Sequence, residues 1–245
     1  MTNYVSPLSL DEEGELLRGE ELIERVREIA GDTILLSFSR GKDSIAMWLY
    51  LREHFNIVPY YLYWIPDLEW VDESLAYYER FFGCHIIQLP HPLFWQYINS
   101  FFFQPPDRVA AIRSLDFPRY DFADLDNILC DHHLGFKAYT AMGMRSADGI
   151  MRRNLMKQQG VIGTKRRRFF YPIWDWNIAQ VSEVIQANDV ALPIDYTLWG
   201  RTVTDFTYQF LAGVRDNFPN DWRRVLDWFP LADLELFRYE NIETA

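Results

Sequence analysis

The segment Ser37-Phe38-Ser39-Arg40-Gly41-Lys42-Asp43-Ser44 gathers three hydroxyls, two cations, one carboxylate and one glycine into eight positions. That set suits an anion. The hydroxyls of Ser37, Ser39 and Ser44 can donate hydrogen bonds, Gly41 lets the backbone approach closely, and Lys42 adds mobile positive charge. If a helix starts here, its first N–H groups and its dipole point at the same ligand, and the chemistry is the handling of phosphate. The Walker A spacing, with four free residues between a glycine and Gly-Lys-Ser/Thr, is absent. A second cluster lies downstream. Between Arg145 and Arg168 the cations Arg145, Arg152, Arg153, Lys157, Lys165, Arg166, Arg167 and Arg168 face one acid, Asp148, giving a net +7 inside a chain of net −11. A cationic stretch in an anionic protein suits a phosphate, a sulfate or a single strand better than a whole duplex, whose binders spread their charge widely. A solvated basic face is the plain alternative.

These residues need elements to position them. TILLSFS (33–39) is a short apolar run of strand length, preceded by GEELIERVREIA (19–30), whose Leu22, Ile23, Val26 and Ile29 share one helical face and stop at Gly31. After the loop, SIAMWLYLREHF has helical spacing through Ile45, Trp48 and Leu49, and IVPYYLYW reads as the next strand. The alternation continues with ESLAYYERFFG as helix, CHIIQLP as strand and PLFWQYINSFFF as helix. Residues 104–131, with their prolines and acids, break the rhythm and read as an insertion over the sheet. YTAMGMR (strand), SADGIMRRNLMK (helix), RRFFYPIW (strand or edge) and NIAQVSEVIQAND (helix, with Ile178, Val181 and Ile185 inward) resume it. The order predicts an α/β fold, a doubly wound, mostly parallel, Rossmann-like sheet with helices on both faces and a helical C-terminal subdomain. The expected division is 1–200, including the 104–131 insertion, and 201–245. In such a sheet ligands bind beyond the carboxyl ends of the strands, which is where 37–44 falls. The first 18 residues carry no legible role.

Composition narrows the classes. A chain of 245 residues, 49% hydrophobic and 24% charged, can bury a substantial core. No apolar run approaches the roughly 20 residues of a membrane-spanning helix, and the acidic start does not resemble a secretory signal, so a cytoplasmic protein without membrane association is expected. Two cysteines, Cys84 and Cys130, are too few for a disulfide framework or a four-thiolate iron–sulfur cluster. Adjacent histidines in Asp131-His132-His133 point apart, so no metal site is expected from them.

The 37–44 segment resembles the PP-loop of the adenine-nucleotide alpha hydrolases and ATP pyrophosphatases, and its Lys-Asp-Ser form is most similar to phosphoadenosine phosphosulfate (PAPS) reductases and their relatives. Two further stretches fit in the same order. Met142-Gly143-Met144-Arg145 with Arg152 and Arg153 resembles the family's Gly-x-Arg…Arg segment, and Tyr171-Pro172-Ile173 through Asp175-Trp176 to Leu192-Pro193 resembles its Pro-Leu-x-x-Trp, helix, Ile-Pro segment. Arg40 departs from the usual glycine, and would be strained if the position needs a positive φ. Glu73, in IPDLEWVDES, matches a Pro-Glu-Thr element only loosely, with Asp67 out of register; Asp67 or Glu69 could touch a ribose or Mg²⁺, or be a solvated acidic loop. The reductase tail with its attacking cysteine is absent, since no cysteine follows Cys130. The stretch from Trp199 through Trp228-Phe229-Pro230 to Glu240 resembles PAPS reductase-like proteins of phages and mobile elements, which places the chain in a bacterial or phage-infected cell. Its aromatics could equally pack the helical subdomain.

The resemblance implies ATP and Mg²⁺ as ligands and no iron–sulfur cluster. Ser37, Ser39, Arg40, Gly41, Lys42, Asp43, Ser44, Arg145 and Arg152 would bind the nucleotide, with Lys42, Arg145 and Asp43 closest to the chemistry. The expected reaction is attack of an acceptor on the alpha phosphorus with release of pyrophosphate, in nucleic-acid modification or sulfur metabolism. Arg168-Phe169-Phe170-Tyr171 could stack a single strand, so the acceptor is either a small anion or a nucleic acid. Two alternatives stay open: a PAPS-binding reductase that uses a partner's thiol, and a non-catalytic nucleotide sensor that docks a protein through DWFPLADLELFRYE.

Overall fold

The computed structural model describes residues 5–202 and 206–242. Residues 1–4 of the silent N-terminal stretch, and 203–205 and 243–245 of the expected C-terminal subdomain, lie outside the described residues. The chain groups into two compact units, residues 1–61 with 121–191 and residues 62–120 with 192–245. The grouping is discontinuous, whereas the boundary expected near residue 200 is sequential: the chain leaves the first unit after Tyr61 and returns at Asp121. The 104–131 stretch holds two helices, α5 (Pro106–Leu115) and α6 (Phe122–Leu129), one in each unit.

Six strands form one sheet in the order β3-β2-β1-β4-β6-β5, from β1 (Thr33–Ser37), β2 (Asn56–Tyr63), β3 (Ile87–Pro90), β4 (Thr140–Ala141), β5 (Ile162–Gly163) and β6 (Phe169–Phe170). β1 is parallel to β2 and β4, β4 is parallel to β6, and β5 is antiparallel to β6. The fold is therefore the expected α/β, Rossmann-like, mostly parallel sheet. Strand order reverses between β1 and β4, and the crevice beyond their carboxyl ends is where such sheets bind ligands.

In the first unit, Ile34, Leu35 and Leu36 are fully buried, as a central parallel strand covered on both faces requires. Helix α1 (Gly19–Ala30) buries Leu22, Ile23 and Val26 and ends at Gly31, whose φ of 75° suits glycine. Helix α2 (Lys42–Leu51) buries Ser44 to Leu49 and Leu51 and packs on α8 (Ile178–Ala187). A capping box of Asn177 and Gln180 starts α8, and Val181 and Ile185 face inward as expected. Ile178 does not: it is the first residue of the helix and 53% exposed. The strand expected from YTAMGMR shrinks to two residues, because the backbone beyond Ala141 turns to pass the start of α2.

In the second unit, α3 (Glu69–Phe82) has no side-chain cap of its own. Asp221, at the start of α11 (Pro219–Trp228), accepts from the Glu69 N–H at 2.7 Å, and Arg224 bridges Asp221 and Glu69 at 2.7 and 3.1 Å. The core is aromatic. Phe94 of α4 (Pro92–Asn99) meets Trp228 edge-on with ring centroids 5.0 Å apart, and Phe206 meets Phe229 at 4.6 Å. Phe229, Ala232 and Leu236 are buried in this core, while Leu234, Phe237 and Tyr239 of the same stretch are exposed. No helix among the described residues is long and apolar enough to cross a membrane.

Candidate functional site

The loop between β1 and α2 is held by its own hydroxyls. Ser44 Oγ donates to the Gly41 carbonyl at 2.8 Å and accepts from both the N–H and the hydroxyl of Ser39 at 3.2 Å. The Phe38 N–H donates to the Tyr60 carbonyl at 2.8 Å, extending the β1 pairing by one residue. Helix α2 then begins at Lys42 with no side chain capping it, so its first-turn N–H groups have no intrahelical acceptor. Ser39, Gly41 and Ser44 thus shape the loop through bonds to one another, and Ser37 ends β1 beside it.

Arg40 adopts φ 61°, the left-handed region that favours glycine. It does not point into solvent. Only 3% of its surface is accessible, and its guanidinium lies 5.6 Å from the centre of the Tyr61 ring.

From the other side of the strand-order reversal, the segment after β4 closes on this loop. A Cβ on Gly143 would stand 3.3 Å from the Asp43 carbonyl group and the Ser44 nitrogen, so the backbones touch because residue 143 has no side chain. Two residues on, Arg145 is buried, with Nε 2.8 Å from Asp43 Oδ1 and Nη2 2.5 Å from Asp148 Oδ1. Its Nη1 is buried without a hydrogen-bond partner. Lys42 Nζ sits 2.9 Å from Asp43 Oδ2, and Arg152 Nη1 2.7 Å from Asp148 Oδ2. Lys42, Asp43, Arg145 and Arg152 are thus brought together as an alternating chain of charges at the start of α2.

The cationic stretch is less available than its sequence suggests. Besides Arg145 and Arg152, Arg166 is paired with Asp121, and Arg167 forms a two-point ion pair with Asp126 at 2.6 and 3.0 Å. Arg167 also donates to the Tyr60 hydroxyl at 3.1 Å and lies over the Phe122 ring. Burial pushes the Tyr60 phenol up to about 12 and raises the Asp126 carboxyl against the pull of Arg167. Sequence reasoning missed Asp126 and Tyr60; a carboxylate inside the apolar run LDNIL was the one available signal.

Other candidates fall elsewhere. Asp67 adopts φ 59°, Glu69 is ion-paired with Arg224, and Glu73 lies beside it on α3. His132 and His133 lie in a π-helical turn, Cys130–Leu134, and no cluster of three metal-ligating side chains occurs among the described residues. Cys130 is buried, and burial together with Glu79 raises the Cys84 thiol above its ordinary range.

No protein-family model matches the chain, and no curated protein does. Among solved structures, the chain is similar to the NH3-dependent NAD synthetase from Campylobacter jejuni subsp. jejuni NCTC 11168, described in complex with the nitrate ion, at 11% identity and a TM-score of 0.43, covering 89% of this chain and 92% of that one.

Proposed function

We propose that this chain is a PP-loop enzyme that binds ATP through residues 37–44 and cleaves it at the alpha phosphate. The observation that carries this reading is the buried, unpartnered Nη1 of Arg145 beside the uncapped start of α2. A buried guanidinium nitrogen without an acceptor is costly, and a phosphate oxygen is an acceptor that the α2 N–H groups would share.

In this reading the N–H groups of 41–44 and Lys42 hold the β and γ phosphates, and Arg145 neutralises charge at the alpha phosphate. An acceptor oxygen forms a bond to the alpha phosphorus; the bond from that phosphorus to the bridging oxygen breaks, and pyrophosphate leaves with the electron pair. Positioning and charge neutralisation supply most of the rate in such transfers. Mg²⁺ arriving with the nucleotide would supply further neutralisation, while Asp43, whose two oxygens face Arg145 and Lys42, holds those cations in place. Arg152, held by Asp148, keeps Arg145 in place through that shared carboxylate.

The pairing of Arg166 with Asp121 and of Arg167 with Asp126 favours a small anionic acceptor over a nucleic-acid strand, because it withdraws those two cations from a strand's phosphates. A reductase reading would need a thiol from elsewhere, since Cys130 is buried and burial together with Glu79 raises the Cys84 thiol.

Calorimetric titration with Mg-ATP and, separately, PAPS tests the proposal, with Lys42→Ala as the control. Mg-ATP should bind the wild type, bind the variant at least tenfold more weakly, and at 100-fold excess over Kd raise stability by about 2.7 kcal/mol. Pyrophosphate release then separates turnover from sensing. Binding of PAPS alone would overturn the adenylylation reading.

A further inference from the structure

The first unit holds a second concavity, and it is the N-terminal stretch that builds it. The Trp174 Nε1–H donates to the Leu17 carbonyl at 2.8 Å, and Ser9 Oγ accepts from the Val161 and Ile162 N–H groups at 3.0 and 2.9 Å. These bonds span more than 150 residues and fasten residues 5–18 beside helix α7 (Ile150–Gln159). The cleft they form is open to solvent on one side and measures about 450 Å³, within the range of small-molecule sites.

Its lining is amphipathic. Leu10, Leu16 and Trp174 supply apolar wall, and Arg18, Arg153 and Lys157 supply three positive charges against the single carboxylate of Glu15. Unlike Arg145, Arg152, Arg166 and Arg167, none of these three cations is ion-paired among the described residues. The cavity also lies on the carboxyl-end side of the sheet: Ser146 follows β4, Trp174 follows β6, and the Ser146 N–H donates to the Trp174 carbonyl at 2.7 Å. Ser146 adjoins Arg145, so the cavity wall continues directly into the charge chain at α2.

We infer that this cavity binds an organic anion with a flat or branched apolar body, the body against Trp174, Leu10 and Leu16 and the anionic head against Arg153, Lys157 and Arg18. We further assign it as the acceptor pocket of the proposed reaction, a step that rests on the ATP reading above. Three unpaired cations beside an apolar wall repel cationic ligands and give a neutral apolar molecule nothing for the charges to hold. The acceptor class is therefore an amphipathic oxyanion rather than bare sulfate or a polynucleotide.

The probe is 1-anilinonaphthalene-8-sulfonate, an aromatic anion whose fluorescence rises in apolar sites, with the uncharged N-phenyl-1-naphthylamine as comparator. Wild-type protein should bind the sulfonate. The exposed double substitution Arg153→Glu/Lys157→Glu should weaken it at least tenfold, leave the neutral comparator within twofold, and leave the melting temperature and Mg-ATP affinity unchanged. Hydrogen exchange should slow in residues 10–18 and 150–159 when the sulfonate is bound. No sulfonate binding, equal affinity in the double variant, or protection elsewhere would overturn the site. Sulfonate binding with no Mg-ATP binding by the wild type would keep the site and overturn its assignment as acceptor pocket together with the ATP reading. Mg-ATP binding without sulfonate binding would overturn the pocket alone.

Discussion

Arg167 and Asp126 share two hydrogen bonds across 41 residues of sequence, each side chain mostly withdrawn from solvent. The pair joins the segment before β6 to α6, and Arg167 also reaches the Tyr60 hydroxyl on β2, so it ties three parts of the first unit together. Breaking one side leaves the other charge buried and alone. Asp126→Ala and Arg167→Ala should each cost about 3 kcal/mol, and the apolar pair Asp126→Leu/Arg167→Met should recover most of that, as read by urea unfolding. A loss in the double variant equal to the sum of the two single losses would mean the pair carries no coupling.

At residue 40 the backbone and the side chain make opposing demands. The φ of 61° favours glycine, but the guanidinium is buried against Tyr61. Arg40→Ala keeps the strained conformation and loses the stacking, whereas Arg40→Gly loses only the stacking. The glycine variant should therefore be more stable than the alanine variant by about 1 kcal/mol in chemical denaturation. A reversed order would mean the backbone relaxes once the arginine is gone.

Gly143 is a test of fit between two backbones. A methyl group there meets the Asp43 carbonyl and the Ser44 nitrogen at 3.3 Å, and neither can move without shifting the start of α2. Gly143→Ala should fold with a loss of about 1 kcal/mol while weakening Mg-ATP about tenfold. Unchanged affinity measured by calorimetry would show that the loop tolerates the shift.

Stability should fall in mild acid through His91. Its Nδ1 accepts from the Leu93 N–H at 3.1 Å at the start of α4, and its ring stacks on Trp64 with centroids 4.6 Å apart. Burial lowers its pKa to about 4 from 6.5. Between those values the unfolded chain binds the proton and the folded chain does not, so the contribution is complete above about pH 6.5 and lost as pH falls toward 4. Allowing for partial exposure, the loss is about 2 kcal/mol. His91→Asn, which can still cap the helix but does not titrate, should flatten the melting temperature over that interval.

Much of the scaffold was legible because burial imposes periodicity. Leu22, Ile23 and Val26 on α1, the run Ile34–Leu36 and the positions Val181 and Ile185 carry that imprint directly. Ile178 fits the same period yet lies outside, because the first turn of a helix extends beyond the surface it packs on. The strands β4, β5 and β6 are two residues long, too short for any pattern. At the site, Ser39, Gly41, Lys42 and Ser44 were legible as a contiguous set. The partnerships of Arg145 with Asp43 and of Arg167 with Asp126 were not, since a pairing across the fold leaves no local trace. The stretch around Phe229 left two readings open for a related reason: aromatic residues look alike in sequence whether they meet a partner or their own core.

One edge of the sheet is β5, which runs antiparallel to its neighbour β6. An outer strand offers bare amide groups on which another polypeptide can build. Here the Ser9 hydroxyl accepts from the Val161 and Ile162 amides, and Gly160 lies so close that a Cβ there would collide with Ser9 Oγ at 2.3 Å. The N-terminal stretch, for which the sequence offered no role, thereby takes up amides through which the sheet would otherwise recruit a neighbouring molecule. Ser9→Ala would expose them, and slow self-association at high concentration is the expected consequence.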